Sequence, residues 1–315
     1  MRFAIIRGCI DGGTGVRRLL LMVLAGVMSC SVQAVEYQKP DADSKLVGVM
    51  EYYQVVRGDS LLDIANKYNI GLLQLMAANP GVDPFLPTPG SLLTVPMQLV
   101  LPNAKRQGIV INLAELRLYY FPKDSDRMYV FPIGIGRVGR ETPKMTTSIS
   151  QMIEDPTWTP TANIRKEYRE KHNIELPAVV PAGPENPMGE YAMRLSYGSG
   201  QYLIHGTNKD FGIGMRVSSG CIRMNPWDVE WLFNQVGRGT RVQIINQPVK
   251  HTVEPDGSVY VEVHEPLSRN ENQMGEFKTV KAPDSLKAEV AGSDDAYQNL
   301  ELALLKQSGV PQRLN

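Results

Sequence analysis

The alternation of apolar and polar residues divides the chain into segments of different character. In the first, residues 53–56 predict a short strand, and apolar residues at helical spacing between positions 61 and 76 predict two helices. Turn residues at 79–81 end the second helix, and residues 91–96 predict a closing strand. The order strand, helix, helix, strand over residues 53–96 indicates a small domain.

From residue 108 onward, short apolar runs separated by turn residues predict strands rather than helices. Residues 109–112 and 116–120 flank a short turn and predict a hairpin. Further strands are predicted over residues 129–135, 145–150, 202–204 and 241–245, and one helix over residues 228–236. We therefore expect a mainly β domain, with one or two helices, over residues 108–247.

Three other segments complete the chain. Residues 35–52 form a polar lead-in, and residues 248–315 form a C-terminal extension with a hairpin-like piece at 258–263 and a helix from 294 to about 306. Residues 155–189 are rich in proline and lack sustained periodicity. Because long segments of this kind inside a catalytic domain are usually functional, we expect a lid or binding loop there.

The N-terminus has the layout of a secretory signal. Arg17 and Arg18 precede an apolar run, residues 19–27, which is too short to cross a bilayer as a mature helix. Small residues follow and lead to Ala34. We therefore predict a signal peptide over residues 1–34, cleaved after Ala34, and export of the rest of the chain.

Two details of this signal have alternatives. Residues 1–15 look out of place ahead of the signal, so translation from an alternative start codon at Val16 is one interpretation. The other alternative is a lipoprotein signal, in which Cys30 accepts the lipid; Met28 fits that pattern poorly.

The charge balance excludes some classes of partner. The chain has 33 Lys and Arg against 33 Asp and Glu, and its pI is about 6.9. Because the basic residues are spread along the chain, they create no extended positive field. We expect no nucleic-acid partner.

The cysteine count indicates a reactive thiol. Of the three cysteines, Cys9 and Cys30 lie in the part predicted to be removed, which leaves Cys221 alone. A single cysteine in an exported protein cannot form an internal disulfide. It is therefore either buried and inert or kept for its chemistry, and the neighbouring residues decide between the two.

The residues around Cys221 favour catalysis. A thiol with its usual pKa of about 8.5 is mostly protonated at neutral pH, so it needs a base such as His205. Gly220 lets the chain turn sharply before the cysteine, so that backbone amides can point at an oxyanion. Arg223 supplies a permanent positive charge for a substrate carboxylate or for lowering the pKa of the thiol.

Residues 205–207 have the sequence His-Gly-Thr, and they are followed by Ser218, Gly220, Cys221 and Arg223. This pattern resembles the signature of the L,D-transpeptidases and their YkuD-type catalytic domain. The resemblance implies a β-sandwich with one or two helices. Residues 53–96 resemble a LysM domain, a small βααβ module that binds the N-acetylglucosamine chains of peptidoglycan. The alternative is an accessory domain of no particular affinity.

The resemblance also implies roles for individual residues. It makes Cys221 the nucleophile, His205 the base and Ser218 the partner that orients the base. Gly220 shapes the catalytic turn, and the substrate-binding residues are Arg223, Gly206, Thr207 and Ser219. Many family members have a histidine where this chain has Ser219, so we expect that residue to tune the site.

The implied reaction needs no cofactor. The cysteine attacks the diaminopimelate carbonyl of a tetrapeptide stem, releases D-alanine, and passes the acyl group to an amine. The family implies two acceptors, the diaminopimelate of another stem and the C-terminal lysine of the major outer-membrane lipoprotein. We favour the lysine. The resemblance places the protein in the periplasm and makes carbapenems covalent inhibitors. The alternatives are a hydrolase that uses the same thioester and a non-catalytic wall-binding protein.

Two further patterns suggest other chemistry and are rejected. Residues 134–139 match the glycine fingerprint of dinucleotide-binding proteins, but residues 141–143 lead into a strand pattern where that motif requires a helix. We interpret them as a loop near the active site. The other histidines, His172, His251 and His264, have no second ligand at metal spacing, so we expect no zinc site.

Overall fold

The computed structural model describes residues 34–209, 211–273 and 275–315. Apart from Ala34, the predicted signal peptide lies outside the described residues, as do the alternatives at Val16 and Cys30. Among the described helices, none is long and apolar enough to cross a membrane.

Most of the described elements are strands. They are β1 (Val35–Gln38), β2 (Leu46–Val47), β3 (Glu51–Gln54), β4 (Leu92–Val95), β5 (Leu99–Val100), β6 (Gly108–Asn112), β7 (Arg117–Phe121), β8 (Arg127–Pro132), β9 (Ile135–Gly136), β10 (Met145–Glu154), β11 (Tyr191–Leu195), β12 (Leu203–His205), β13 (Arg216–Ser218), β14 (Ile222–Arg223), β15 (Arg241–Ile245), β16 (Val249–Val253), β17 (Val259–Val263) and β18 (Gln312–Arg313). The α-helices are α1 (Leu61–Lys67), α2 (Leu72–Ala78), α3 (Ala162–His172), α4 (Pro226–Gln235), α5 (Asp284–Val290) and α6 (Asp294–Lys306).

A curved sheet of nine strands, in the order β1-β8-β7-β6-β15-β10-β11-β12-β14, forms the centre of the molecule. Along β6 the side chains alternate between its faces, as the period of two in a strand requires. Ile109 and Ile111 enter the main apolar core, whereas Val110 packs on the other face with Leu99 and Tyr119. The mainly β architecture expected from the sequence is confirmed.

The end of this sheet that carries β12 and β14 is held by two elements. β10 pairs with β15 through its first residues and with β11 through its later ones, with an irregularity between Ile149 and Gln151. Helix α4, with Pro226 in its first turn, buries Val229 and Leu232 in the core behind β11. This packing fixes the short strands at the edge of the sheet.

The predicted strand, helix, helix, strand unit is confirmed as β3, α1, α2 and β4, with an apolar core of its own. Ser60 caps the start of helix α1. Its hydroxyl accepts from the Asp63 amide, and the Asp63 carboxylate accepts from the Ser60 amide. Such reciprocal bonds satisfy two backbone donors at a helix start and end the preceding loop at a defined residue.

This βααβ unit contacts the main sheet domain through buried polar groups and close backbone packing. The side chain of Asn69 donates to Asp228 at 2.9 Å, and that of Gln74 donates to the Glu115 carbonyl. A Cβ atom on Gly214 would lie 2.4 Å from the Cα atom of Gly71, so two glycines allow the backbones to meet. The unit is therefore docked and not merely tethered.

The C-terminal extension forms a second small domain, in which α5 and α6 share an apolar core with the three-stranded sheet β16-β17-β18. A buried charged cluster joins it to the main domain. Lys250 Nζ lies 2.7 Å from Glu115 and 3.0 Å from Glu262, and Arg117 contacts both carboxylates. His264 and the two carboxylates lie close enough together to hold a metal ion, but the ammonium of Lys250 already contacts both carboxylates.

The segment predicted as a lid, residues 155–189, contains a helix that the sequence pattern did not predict. None of the residues of α3 is buried, so the helix has no apolar stripe. At its base, Asn186 is fully buried and donates to the Pro156 and Pro181 carbonyls. The proline-rich ends of the segment are thus fastened together, and α3 projects from them.

Candidate active site

The predicted base and the predicted cationic residue lie on one face of the β12–β14 edge. The parallel register pairs Ile204 with Ile222 and His205 with Arg223. Both isoleucines point into the main core. Because side chains alternate along a strand, His205 and Arg223 share the opposite face. Cys221 lies directly before β14, and the charge of Arg223 acts on both Cys221 and His205.

A backbone carbonyl sets the tautomer of His205. The ring is buried, and its Nδ1 lies 2.7 Å from the carbonyl oxygen of Gly206. Since a carbonyl can only accept, Nδ1 carries the proton and Nε2 keeps the free lone pair. Burial, and next the charge of Arg223, lower the pKa of His205 to about 4, although the carbonyls of Gly206 and Met188 oppose this shift. The imidazole is therefore neutral at neutral pH.

The Cys221 thiol is half-buried, and Sγ donates to the carbonyl of Gln201 at 3.6 Å. Burial raises the pKa of the thiol above its usual range, partly offset by the Leu203 amide and the charge of Arg223. Within the described part of the chain, no hydrogen bond joins this thiol to His205. In this arrangement both the thiol and the imidazole are uncharged near neutral pH.

Ser218 and Gly220 shape the turn that presents the nucleophile. The buried Ser218 hydroxyl donates to the Cys221 carbonyl at 2.5 Å and accepts from the Gly220 amide at 3.2 Å. Gly220 has φ +108°, a conformation that favours glycine. Ser218 therefore contacts the turn of the nucleophile, and the base that it was expected to orient contacts Gly206 instead.

Thr142 is a site residue that the sequence did not indicate. Its buried hydroxyl donates to the Gly220 carbonyl at 2.9 Å and accepts from the Gly136 amide at 3.0 Å. It thus connects the catalytic turn to the loop that matched the dinucleotide fingerprint. That loop contains strand β9, which pairs with β13, and the Arg137 amide donates to the Ser218 carbonyl.

Two arginines of this loop connect the catalytic turn to helix α3. Arg140 Nη1 donates to the exposed Ser219 hydroxyl at 3.1 Å, and its Nη2 donates to Glu167 of α3 at 3.0 Å. Arg137 donates to the same carboxylate. Arg140 therefore links Ser219, a predicted substrate-binding residue, to the lid helix.

The other end of the lid contacts the His-Gly-Thr segment. A Cβ atom on Gly189 would lie 3.0 Å from the Thr207 amide nitrogen, and one on Gly206 would lie 3.3 Å from the Met188 carbonyl. Gly206 and Thr207 are both buried, and the Thr207 hydroxyl accepts from the Lys209 amide. These two predicted binding residues support the base of the lid and present only backbone atoms near His205.

Arg223 is the predicted residue with the greatest unused bonding capacity. Its guanidinium has no hydrogen-bond or ion-pair partner among the described residues, and its Nε is buried. Burial lowers the pKa of Arg223, while Tyr168 of α3 and Cys221 oppose that shift. A half-buried cation near Cys221, without a carboxylate partner in the described part of the chain, is suited to bind an anionic group of a ligand.

Comparison with known proteins gives the family. Residues 106–244 match the model of the L,D-transpeptidase catalytic domain, residues 248–314 that of the L,D-transpeptidase C-terminal domain, and residues 53–96 that of the LysM domain.

Three Escherichia coli K12 proteins support the match. The chain is 55% identical to the probable L,D-transpeptidase YcfS, over 78% of this chain and 77% of that protein. It is 50% identical to the probable L,D-transpeptidase ErfK/SrfK, over 90% and 91% of the two chains, and 47% identical to the probable L,D-transpeptidase YbiS, over 95% and 98%. The chain belongs to the L,D-transpeptidase family.

Among solved structures, the chain shows only a partial likeness to the L,D-transpeptidase of Enterococcus faecium. The TM-score is 0.34 and the identity 22%, over 44% of this chain and 49% of that one.

Proposed function

We propose that the protein is a peptidoglycan L,D-transpeptidase with a cysteine mechanism. The observation that carries the proposal is that the charge of Arg223, paired with His205 across the β12–β14 edge, acts on both His205 and Cys221. This arrangement combines a thiol, a neutral imidazole and a cation without an ion-pair partner among the described residues, which are the parts that acyl transfer from an anionic peptide requires.

In the first half-reaction, His205 Nε2 takes the thiol proton as Cys221 Sγ attacks the diaminopimelate carbonyl of a tetrapeptide stem. A thioester forms, the bond to D-alanine breaks, and the leaving amine receives the proton from His205. In the second half-reaction an acceptor amine attacks the thioester, an amide forms, and the proton returns to the thiol. Because both groups start neutral, proton transfer must accompany attack.

The backbone around the nucleophile supplies the stabilisation of the oxyanion. The Gly220 amide already donates to Ser218, so we assign the oxyanion donor to the amide of Cys221 itself. Ser218 and Thr142 then act by holding the turn in which that amide is presented. Arg223 binds a carboxylate of the donor stem, and Ser219 contacts substrate at the rim.

The lid assignment for residues 155–189 is supported by contacts of its helix and of its C-terminal end. Glu167 reaches the catalytic turn through Arg140, and the Met188 carbonyl faces His205. A lid in this position would exclude water from the thioester and favour an amine as acceptor.

The acceptor that we favour is the C-terminal lysine of the outer-membrane lipoprotein. The alternative acceptor is the diaminopimelate amine of a second stem. We place the enzyme in the periplasm, delivered by the predicted signal peptide, and assign glycan binding to the LysM domain. Its docking beside α4 supports this assignment, because a bound glycan strand would be held at a fixed position relative to the catalytic domain.

The test is a reaction of purified protein with disaccharide tetrapeptide and an amine acceptor, read by mass spectrometry. We expect release of D-alanine, transfer to the amine, and a single carbapenem adduct on Cys221. Cys221→Ala should abolish D-alanine release, and His205→Ala should slow it by ~10²–10⁴-fold, the usual contribution of a general base. Normal turnover by Cys221→Ala would end the proposal, and release without transfer would make the protein a hydrolase.

A further inference from the structure

A polar cavity of about 360 Å³ opens between helix α3 and the loop that carries Arg137 and Arg140. Besides these two arginines, its charged lining includes Lys166, Lys171, Glu170 and Glu271. The cavity is thus bordered by the lid, by the loop behind the catalytic turn, and by Glu271 of the C-terminal domain.

The charged lining of the cavity has an excess of positive charge. Glu167 is the common partner of three cations: it accepts from Arg137, lies 3.0 Å from Arg140 Nη2, and lies 3.6 Å from Lys171 Nζ. Glu271 also acts on Arg137, so these two carboxylates leave one of the three positive charges unbalanced. Such a site favours a carboxylate that can accept hydrogen bonds from arginine.

Two more carboxylates give the cavity a mixed character. Glu170 lies 3.8 Å from Lys166, and Glu271 comes from the C-terminal domain and interacts with Arg137. A ligand with both an ammonium and a carboxylate would therefore find complementary charges here, whereas a purely anionic or apolar ligand would match only part of the lining.

The cavity also lies close to the nucleophile. Arg140 lines it and donates to Ser219, and the Arg140 carbonyl lies 3.6 Å from the position of a Cβ atom on Gly220, next to Cys221. Arg223, assigned to the donor stem, lies on the sheet face near Tyr168 and does not line the cavity. The site therefore has two separate cationic positions beside one nucleophile.

We propose that this cavity binds the free carboxylate of the acceptor, and so selects acceptors in which the attacking amine and a free carboxylate belong to the same residue. The inference rests on the transpeptidase function proposed above. Both acceptors considered there have this chemistry, because diaminopimelate carries an amine with its carboxylate and a C-terminal lysine carries an ε-amine with its α-carboxylate. The cavity would hold the carboxylate while the amine reaches the thioester.

The first experiment needs only the wild-type protein. Nα-acetyl-lysine and its amide have the same ε-amine, but only the first has the carboxylate. With disaccharide tetrapeptide as donor, we expect the acid to have a KM roughly tenfold below that of the amide, because charge-assisted hydrogen bonds are lost with the carboxylate. A tripeptide stem ending in diaminopimelate tests the second source of acceptor in the same way. It is compared with a stem in which the carboxylate beside the free amine of diaminopimelate is amidated.

The second experiment locates the effect. Arg137→Gln and Lys171→Gln should each raise the KM of the acid and remove its advantage over the amide. Arg169→Gln is the matched control, since Arg169 lies on the same helix but pairs with Glu175 and does not line the cavity. The rate of Cys221 acylation by the donor in a single turnover should be the same in Lys171→Gln, Arg169→Gln and the wild type, because the donor half-reaction does not use the carboxylate of the acceptor. Arg137→Gln also removes a contact that fastens the lid helix, so it is read only by the ratio of the KM values for the acid and the amide.

The outcomes separate the two proposals. Equal KM values for the acid and the amide with wild-type protein would overturn the acceptor site, as would an unchanged preference in both cavity variants. If wild-type protein releases no D-alanine and forms no acyl-enzyme, the transpeptidase function itself fails. Loss of acid preference in Arg137→Gln and Lys171→Gln, but not in Arg169→Gln, is the supporting result.

Discussion

At the scale of single residues, the protonation states of Cys221 and His205 determine how attack can begin. Burial raises the pKa of the thiol and lowers that of the imidazole, so both groups are uncharged near neutral pH. A thiolate–imidazolium pair would instead need the imidazole pKa to lie above that of the thiol. In the proposed mechanism His205 is therefore a base that acts during attack, and the Gly206 carbonyl, as the acceptor of its Nδ1 proton, is its positioning group.

This protonation state predicts the pH dependence of thiol alkylation. The thiolate is the reactive form, and burial raises the pKa of Cys221 above the usual range of a thiol, so the iodoacetamide rate should rise steadily from pH 6 through pH 9. His205→Ala should leave this rise unchanged, because a neutral imidazole does not stabilise the thiolate. Peptide mapping of Cys221 after timed alkylation measures the rate. A plateau reached below pH 7, lost in His205→Ala, would indicate a resting ion pair instead.

The sequence pointed to the residues that we propose to react, but not to the groups that contact them. Cys221, His205 and Arg223 stand in a compact motif with residue types that only a few chemistries require. Thr142 and Arg140 come from a distant loop, and nothing in the residues around them signals a contact with Gly220 or Ser219. The Gly206 carbonyl could not be foreseen either, because every residue has a carbonyl and only the fold decides its partner.

At the scale of elements, helix α3 illustrates a type of structure that apolar patterns miss. It has no buried residue; Thr161 caps its start, and ion pairs of Glu167 fasten it to the neighbouring loop. A helix that is stabilised by caps and ion pairs has no apolar stripe from which the sequence could predict it. By contrast, α6 buries Ala296, Leu300 and Ala303 at helical spacing, and its bounds agree with those expected from the sequence.

Shortening the lid tests whether it excludes water. Replacing residues 162–176 with a short Gly-Ser linker removes α3 but keeps the Trp158–Val180 pairing and the Asn186 contacts at the base. We expect Cys221 to be acylated still, and the thioester to be hydrolysed several-fold faster without acceptor, because water gains access. Mass spectrometry of the acyl-enzyme over time measures this rate.

A double variant, Arg169→Gln with Glu175→Gln, is the control for the lid. It removes an exposed ion pair of the same segment without shortening it, so thioester lifetime should match that of the wild type. An unchanged lifetime in the shortened protein as well would show that the segment does not protect the thioester.

At the scale of the whole molecule, buried polar contacts join the domains. The cluster of Glu115, Arg117, Lys250 and Glu262 links the C-terminal domain to the main sheet, and Asn69 links the LysM domain to Asp228. Removing one member of such a buried set usually costs more than the contact contributes, because its partner is left uncompensated. Deleting residues 53–96 would therefore disturb the catalytic domain as well as glycan binding, and point variants test the interface better.

Asp228 makes the LysM contact sensitive to pH. It is fully buried in the first turn of α4, accepts from Asn69 at 2.9 Å and from Asn225 at 3.2 Å, and has no ion-pair partner among the described residues. Burial raises its pKa from 3.8 to about 7, although these two hydrogen bonds oppose the shift. Between these pH values the native chain holds a proton that the unfolded chain has released, so the free energy of unfolding falls as pH rises.

Asp228→Asn should remove this dependence, since asparagine has the same size but does not ionise. Its amide keeps only one of the two acceptor oxygens that receive Asn69 and Asn225, so the variant should be less stable than wild type near pH 4. From pH 4 to above pH 7, the difference in the free energy of unfolding should shift in favour of the variant by on the order of 4 kcal/mol, the free-energy equivalent of the pKa shift. Urea unfolding followed by tryptophan fluorescence between pH 4.5 and 8.5 measures the difference, with Trp227 and Trp231 reporting on α4. Asp284→Asn, an exposed aspartate in the first turn of α5, is the control and should change stability by less than ~0.5 kcal/mol. Parallel pH profiles for wild type and Asp228→Asn would show that the carboxyl is ionised in the docked interface and that the LysM contact does not depend on its proton.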